Sequence, residues 1–238
     1  MDEKIKLTNQ DNNSGTVASY VPFYTDDNIT LFNDDYRNII DSFPPFNFII
    51  TDPPYPEKYL YCWEELGKVA SRILKNGGQL FAMSGQMWFF EITDMLRKYL
   101  QPHWIIANFL PPNGGNSIIH TNYVQQAWKP IFWFKKGEIP AESHFDIIGS
   151  LKGVKRIYHK WQQNIKVFLH LIKTYTKKDC IILDPFLGSG TTALACYQLG
   201  FTNFIGCDID SHCIKTTQMQ IQSHRGIEQW MPTNLKHK

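Results

Sequence analysis

The sequence predicts an α/β protein built on a doubly wound, mostly parallel sheet. Three observations carry that reading. Short apolar runs alternate with amphipathic stretches from Ile29 onward. A glycine-rich turn, Asp184-Pro185-Phe186-Leu187-Gly188-Ser189-Gly190-Thr191-Thr192-Ala193, stands between a strand-like run and a helix-like one. An earlier apolar run, residues 46–50, stops at Asp52-Pro53-Pro54, since proline cannot continue a ladder.

The elements run in this order. Residues 1–28 are rich in Asn, Asp, Ser and Thr and read as a flexible arm. A short strand is expected over 29–32 and a second over 46–50. A helix over 57–75 places Leu66, Val69, Ala70, Ile73 and Leu74 on one buried stripe. Asn76-Gly77-Gly78 ends it. A strand over 79–83, a helix over 87–99 and strands over 104–110 and 130–134 come next. Residues 111–128, rich in Pro, Gly, Asn and Gln, and the irregular 138–158 read as small recognition segments. The chain closes with a helix over 162–175, whose stripe is Ile165, Phe168, Leu169 and Ile172, and a strand over 180–183. A helix over 191–199, a strand over 204–207 and a last helix from Ser211 complete the pattern. Residues 29–222 thus form one domain and 223–238 a polar tail, as suits a chain of 238 residues.

Composition removes several classes. No apolar run reaches the ~18–20 residues of a membrane span, and the first ten residues lack a signal-peptide core. The five cysteines form no C-x-x-C pair. They are expected as free thiols in a reducing cytoplasm, with no disulfide framework and no metal site. His212-Cys213 reads as a helix-start pair without metal partners.

The net charge of +2 conceals a polarity. Residues 1–60 hold 10 acids and 4 bases, while residues 129–178 hold 11 Lys/Arg and 3 acids. The basic belt includes Lys129, Lys135, Lys136, Lys152, Lys155, Arg156 and Lys160. Such a belt can neutralise nucleic-acid phosphates.

Gly188, Gly190 and Ala193 match the pattern G-x-G-x-x-G/A. Glycines let the backbone approach a ligand, and the following helix offers free N–H groups. The next strand ends at Asp208, 18 residues after Gly190, where an acid can accept from a ribose diol. This is an adenosine-ligand half-site. No G-K-[ST] comes after it, so a triphosphate P-loop is disfavoured, whereas NAD and S-adenosylmethionine both remain open. Ligands of open α/β sheets bind at the carboxyl ends of strands, so Asp52 should share the crevice with Gly188.

The two motifs together, Asp52-Pro53-Pro54-Tyr55 and the unbroken Asp184–Thr192, make the sequence resemble the amino-methylating DNA methyltransferases. Their order is that of the family's beta group, in which the proline-tyrosine motif precedes the glycine motif. The resemblance spans residues 29–215 and implies a Rossmann-like methyltransferase sheet with circularly permuted motif order. It includes Gly206-Cys207-Asp208-Ile209-Asp210 and Asn33-Asp34-Asp35, the latter similar to the family's N-G-D. His159 and Gln162 match the family's H-P-x-Q-K-P element, from which Lys160, Gln163 and Asn164 depart.

The resemblance implies S-adenosylmethionine as cofactor and double-stranded DNA as substrate. Asp52 and the Pro53 carbonyl would hold the two amine hydrogens of a flipped base, with Pro54 stiffening the corner and Tyr55 stacking on the base. Methyl transfer would be direct displacement, without a covalent enzyme intermediate or a metal. Asp184, Phe186, Gly188, Ser189, Gly190 and Thr191 would cradle the cofactor. Asp208 would hold its ribose, Asp35 its adenine, and His159 and Gln162 its methionine end. Asp at position 52 favours N6 of adenine; N4-cytosine enzymes more often carry Ser there. DNA contacts are expected from Asn113, Asn116, His120, Lys129, Lys135, Lys136, Lys155 and Arg156. A homodimer and a cognate restriction endonuclease are the expected protein partners. The competing readings are an N4-cytosine methyltransferase, an NAD-dependent oxidoreductase and a catalytically dead DNA-binding homologue.

Overall fold

Near-continuous apolar runs mark strands that are covered on both faces. The computed structural model describes residues 20–110, 118–119, 123–149 and 163–230 and assembles those runs accordingly. The chain passes through β1 (Tyr24–Thr25), β2 (Ile29–Phe32), α1 (Tyr36–Ile39), β3 (Phe46–Thr51), α2 (Tyr61–Ile73), β4 (Leu74–Met83), α3 (Phe89–Leu96) and β5 (Gln101–Phe109). It continues through β6 (Ile118–Ile119), β7 (Val124–Gln125), β8 (Trp128–Lys136), β9 (Ile147–Ile148), α4 (Ile165–Tyr175), β10 (Ile182–Asp184), α5 (Thr191–Gln198), β11 (Phe204–Cys207) and α6 (Ser211–Trp230).

Nine strands form one sheet in the order β1-β2-β11-β10-β3-β4-β8-β5-β9. The run from β2 to β4 is parallel throughout, whereas β8 lies antiparallel between β4 and β5. The central strands feed two cores. Ile131 and Trp133 of β8 join Phe81, Phe168, Leu171 and Phe204 on the face covered by α4 and α5. Phe132 and Phe134 join Trp63, Leu66, Leu80 and Leu96 on the face covered by α2 and α3. In β3, Phe46 and Phe48 fall on opposite faces despite their even spacing, because the β3–β4 register shifts between them.

That shift corrects one expectation. The helix does end, but at Ile73, and Leu74 enters β4 directly. Leu74 pairs with Phe46 while Gln79 pairs with Phe48, so Lys75–Gly78 bulge out of the ladder. Gly77, at φ +79, supplies the left-handed residue that this bulge needs. The Asn-Gly-Gly signal is therefore a bulge inside a strand and not a helix cap.

Other boundaries differ for equally local reasons. Tyr24–Thr25, within the expected arm, pair antiparallel with β2. Tyr36–Ile39 form an extra helical turn, started by the Asp35 side chain accepting from the Arg37 N–H. In α4 the buried stripe is Val167, Phe168, Leu171 and Ile172, while Ile165 and Leu169 are only partly buried. The helix begins three residues later than expected, at the Asn164 cap. Residues 223–230 continue α6 instead of forming a loose tail. Of the two small segments, 111–128 contributes the β6–β7 hairpin and 138–158 contributes β9.

Candidate active site

Strands β2, β11, β10, β3 and β4 run in one direction, so their carboxyl ends share an edge of the sheet. Phe32, Cys207, Asp184 and Thr51 are the last residues of the first four. The segments that leave these strands are therefore brought together: Asn33-Asp34-Asp35, Asp208, the glycine turn, and Asp52-Pro53-Pro54-Tyr55. Pairing of Leu183 with Ile49 sets the two long motifs side by side.

Asp52 is the centre of a hydrogen-bonded cluster. Tyr55 donates its hydroxyl to Oδ1 and Gln163 donates Nε2 to Oδ2 at 2.6 Å. Lys129 Nζ donates to the Tyr55 hydroxyl and to Gln163 Oε1, each at 3.4 Å, and lies 4.9 Å from the Tyr55 ring centroid. Burial pushes the Asp52 carboxyl up, against the Lys129 charge and the bonds from Tyr55 and Gln163, which favour the carboxylate. The Tyr55 phenol is pushed up by burial and by Asp52. Lys129 is there because β8 is antiparallel, so its amino end reaches the edge where β4 finishes.

Below this cluster the two motifs are bonded to each other. Thr51 Oγ1 donates to Asp184 Oδ1 at 2.6 Å, and Phe186 N donates to the same oxygen at 3.1 Å. Asp184 is only 2% exposed, and burial pushes it to about 7 against its bonds from Thr51, Thr192 and Phe186. Its carboxyl is spent inside the fold, tying the glycine turn to β3. The unfolded chain ionises this acid near 3.8, whereas the folded chain holds the proton to about 7. Folding therefore takes up a proton between those values, and stability falls as pH rises across that window. Asp184→Asn keeps an acceptor for Thr51 and Phe186. It should flatten that fall and raise stability at pH 8 by about 1–4 kcal/mol in urea denaturation.

The glycine turn is built as its sequence suggests. Gly188 and Gly190 have φ of +53 and +78. A Cβ at Gly190 would stand 2.3 Å from Thr217 of α6, so only glycine fits there. A Cβ at Gly188 would meet nothing within 4 Å, which leaves open space over that backbone. Gln220 Nε2 donates to Ser189 O at 2.7 Å and fixes the turn against α6. Thr191 begins α5 and is buried.

Beside the turn is a cleft lined by Asp34, Asp35, Tyr36, Pro185, Phe186 and Asp208, among others. Phe186 meets Tyr36 edge to face at 5.4 Å. Asp208 Oδ2 accepts from Gly188 N at 2.8 Å and Oδ1 from Asp210 N at 2.9 Å. Asn33 Nδ2 donates to Asp208 O at 3.0 Å, joining the β2 and β11 corners. Asp35 is bonded by Arg37 Nη2 at 2.5 Å and Nε at 2.9 Å, and this guanidinium holds its carboxyl below the usual range.

The structure thus gathers Asp52, Pro53, Pro54, Tyr55, Asp184, Phe186, Gly188, Ser189, Gly190, Thr191, Asp208 and Asp35 at one edge. Asn113, Asn116, His120, Lys155, Arg156, His159 and Gln162 lie outside the described residues. Two residues expected as DNA contacts have partners within the fold. Lys135 and Lys136 sit at the far end of β8, opposite Gln79 and Gly78, roughly 20 Å from Lys129 at ~3.3 Å per residue. Lys136 Nζ donates to Leu74 O at 2.6 Å and to Arg72 O at 3.4 Å, closing the end of α2, and Lys135 pairs with Glu138 at 3.3 Å. Replacing both by Ala should leave DNA affinity and its salt slope unchanged within about twofold in filter binding, at a stability cost of about 1 kcal/mol. Lys129, also expected on the belt, has its ammonium in the Asp52 cluster. Gln163, which breaks the family element in the sequence, is the residue that sequence reasoning missed. Its pairing with Asp52 spans 111 positions and leaves no local signal.

Among the described residues no helix is long and apolar enough to cross a membrane. The family model for DNA methylases of the N6/N4 type matches residues 46–219. The chain is 21% identical to the Type II methyltransferase M2.DpnII of Streptococcus pneumoniae, over 91% of this chain and 98% of that one. It is 26% identical to the Type II methyltransferase M2.MboI of Moraxella bovis, over 58% and 57%. Among solved structures, M1.HpyAVI in complex with SAM superposes with a TM-score of 0.66 at 26% identity, covering 81% of this chain and 99% of that one. The cytosine-N4-specific PvuII DNA methyltransferase shares the fold, with a TM-score of 0.70 at 17% identity over 90% of each chain.

Proposed function

This chain belongs to the N6/N4 DNA methylase family, and from that membership we propose that it methylates N6 of an adenine flipped out of double-stranded DNA, using S-adenosylmethionine. The observation that carries the reading is Asp52. Its carboxylate stands at the end of β3 with Tyr55 on one oxygen and Gln163 on the other. The Thr51–Asp184 bond fixes it beside the glycine turn.

The residues fit the cofactor. The backbone at Gly188 faces open space, and the adjoining cleft carries Phe186 and Asp208. Phe186 and the turn formed by Gly188, Ser189, Gly190 and Thr191 cradle it, with the Gly188 and Gly190 N–H groups bonded inside the fold to Asp208 and Leu187; Asp208 takes its ribose, and the Asp35 corner takes its adenine. Asp184 acts one layer below, as the brace of the turn. When bound, S-adenosylmethionine supplies an electrophilic sulfonium methyl.

The chain's own residues do the positioning, which supplies most of the catalysis. Asp52 accepts one hydrogen of the target amine and the Pro53 carbonyl accepts the other. Holding both hydrogens below the base plane turns the nitrogen lone pair outward. Pro53 and Pro54 stiffen that corner, and Tyr55 presents its ring to the base. Asp52 is also the acceptor in reach for the proton that the methylated amine sheds. Asp at 52, where cytosine-directed enzymes more often carry Ser, supports adenine over cytosine. An oxidoreductase would leave Asp52 to Tyr55 without a task. A dimer gripping the duplex and a cognate endonuclease complete the proposal.

The test is incubation with labelled S-adenosylmethionine and duplex DNA, digestion to nucleosides and mass spectrometry. N6-methyladenosine in its deoxy form is the expected product. N4-methyldeoxycytidine would overturn the base assignment, and the absence of any methylated nucleoside would overturn the enzymatic reading.

A further inference from the structure

Two bridges, each of one residue, connect Lys129 to the two oxygens of Asp52. In the first, the ammonium donates to the Tyr55 hydroxyl oxygen at 3.4 Å and that hydroxyl donates to Oδ1. In the second, it donates to Gln163 Oε1 at 3.4 Å and Gln163 Nε2 donates to Oδ2 at 2.6 Å. The four side chains come from β8, the Asp52–Tyr55 corner and the residue before the α4 cap, so the ring closes only in the folded chain. Hydrogen bonds in series polarise one another, so a cation at the head strengthens both donors that face the carboxylate.

We propose that Lys129 is a positioning residue for methyl transfer, which keeps the Asp52 carboxylate ionised and oriented through Tyr55 and Gln163. This rests on the reading of Asp52 as the group that holds the target amine. A protonated Asp52 would present its own O–H where the amine hydrogen must be accepted, so loss of the charge stops the reaction. The groups acting on Asp52 among the described residues are Lys129 of β8, Tyr55 and Gln163, with the buried Asp184 of β10 beneath it. Burial drives Asp52 toward the neutral acid, and Lys129 is the cation that opposes it.

The experiment is the pH profile of kcat for Lys129→Met, Lys129→Arg and Asp52→Ala, measured on duplex DNA with saturating S-adenosylmethionine. Removing the cation raises the Asp52 pKa, so the acid limb of Lys129→Met should move to higher pH by about one unit. Its rate then falls about tenfold on that limb and far less at pH 9. Lys129→Arg should restore the limb, which a merely structural role would not predict. A uniform loss at every pH, or a wild-type profile in Lys129→Met, would overturn the proposal while an inactive Asp52→Ala keeps the underlying reading. Activity in Asp52→Ala would remove that reading itself.

Discussion

Replacing Asp52 by Ala is expected to lower kcat for methyl transfer by about 10³-fold or more while leaving S-adenosylmethionine affinity within about threefold. The size comes from what the carboxylate does. In the proposed mechanism it is the charged acceptor that orients the amine, and its partners Tyr55 and Gln163 are not among the residues that line the cleft beside the glycine turn. Asp52→Asn should be nearly as damaging. Both oxygens face donors, Tyr55 on Oδ1 and Gln163 Nε2 on Oδ2. An amide keeps both partners, its Oδ1 accepting from Gln163 Nε2 and its Nδ2 donating to the Tyr55 hydroxyl oxygen, but it lacks the negative charge that the target amine needs. Single-turnover methylation and calorimetric cofactor titration read the two effects separately. Near-normal turnover by Asp52→Ala would sink the mechanism.

Much of this site is visible in the chain because its parts are contiguous. The prolines after Asp52 and the glycines after Asp184 dictate local backbone, and the parallel β3–β10 pairing then sets both corners at one edge. The hidden part depends on strand direction or on tertiary pairing. Lys129 and Lys136 stand seven positions apart in one lysine-bearing run, where charge alone assigns them a single role. An antiparallel β8 sends Lys129 to the site and Lys136 to the carbonyls that end α2. Charge counting along a strand cannot report that split, because it depends on which neighbour the strand chooses. Gln163 is invisible for a related reason, since its partner Asp52 is 111 positions away. The Asn76-Gly77-Gly78 signal identifies a backbone reversal correctly, but only the Leu74–Phe46 pairing shows that the strand has already begun.

Asp208 carries the second large effect. Its carboxylate accepts Gly188 N at 2.8 Å through Oδ2 and Asp210 N at 2.9 Å through Oδ1. An ionised carboxylate has about four acceptor positions, so a diol can share it with these backbone donors. Asp208→Ala removes the proposed contact to the cofactor and also the anchor that holds the glycine turn toward β11. Hydrogen bonds to a charged group are worth about 1.5–3 kcal/mol, so cofactor affinity should drop about 10- to 100-fold in calorimetric titration. DNA affinity, measured separately, should stay within about twofold. Asp35 gives the contrast on the other wall of the same cleft. Arg37 already takes both of its oxygens. Asp35→Asn weakens that ion pair while keeping an acceptor on the cleft wall, so cofactor affinity should change by no more than about threefold. If Asp35→Asn proved the more damaging of the two, the cofactor would be anchored at the β2 corner and not at β11. The Arg37 pair would then be a contact that opens when the ligand arrives.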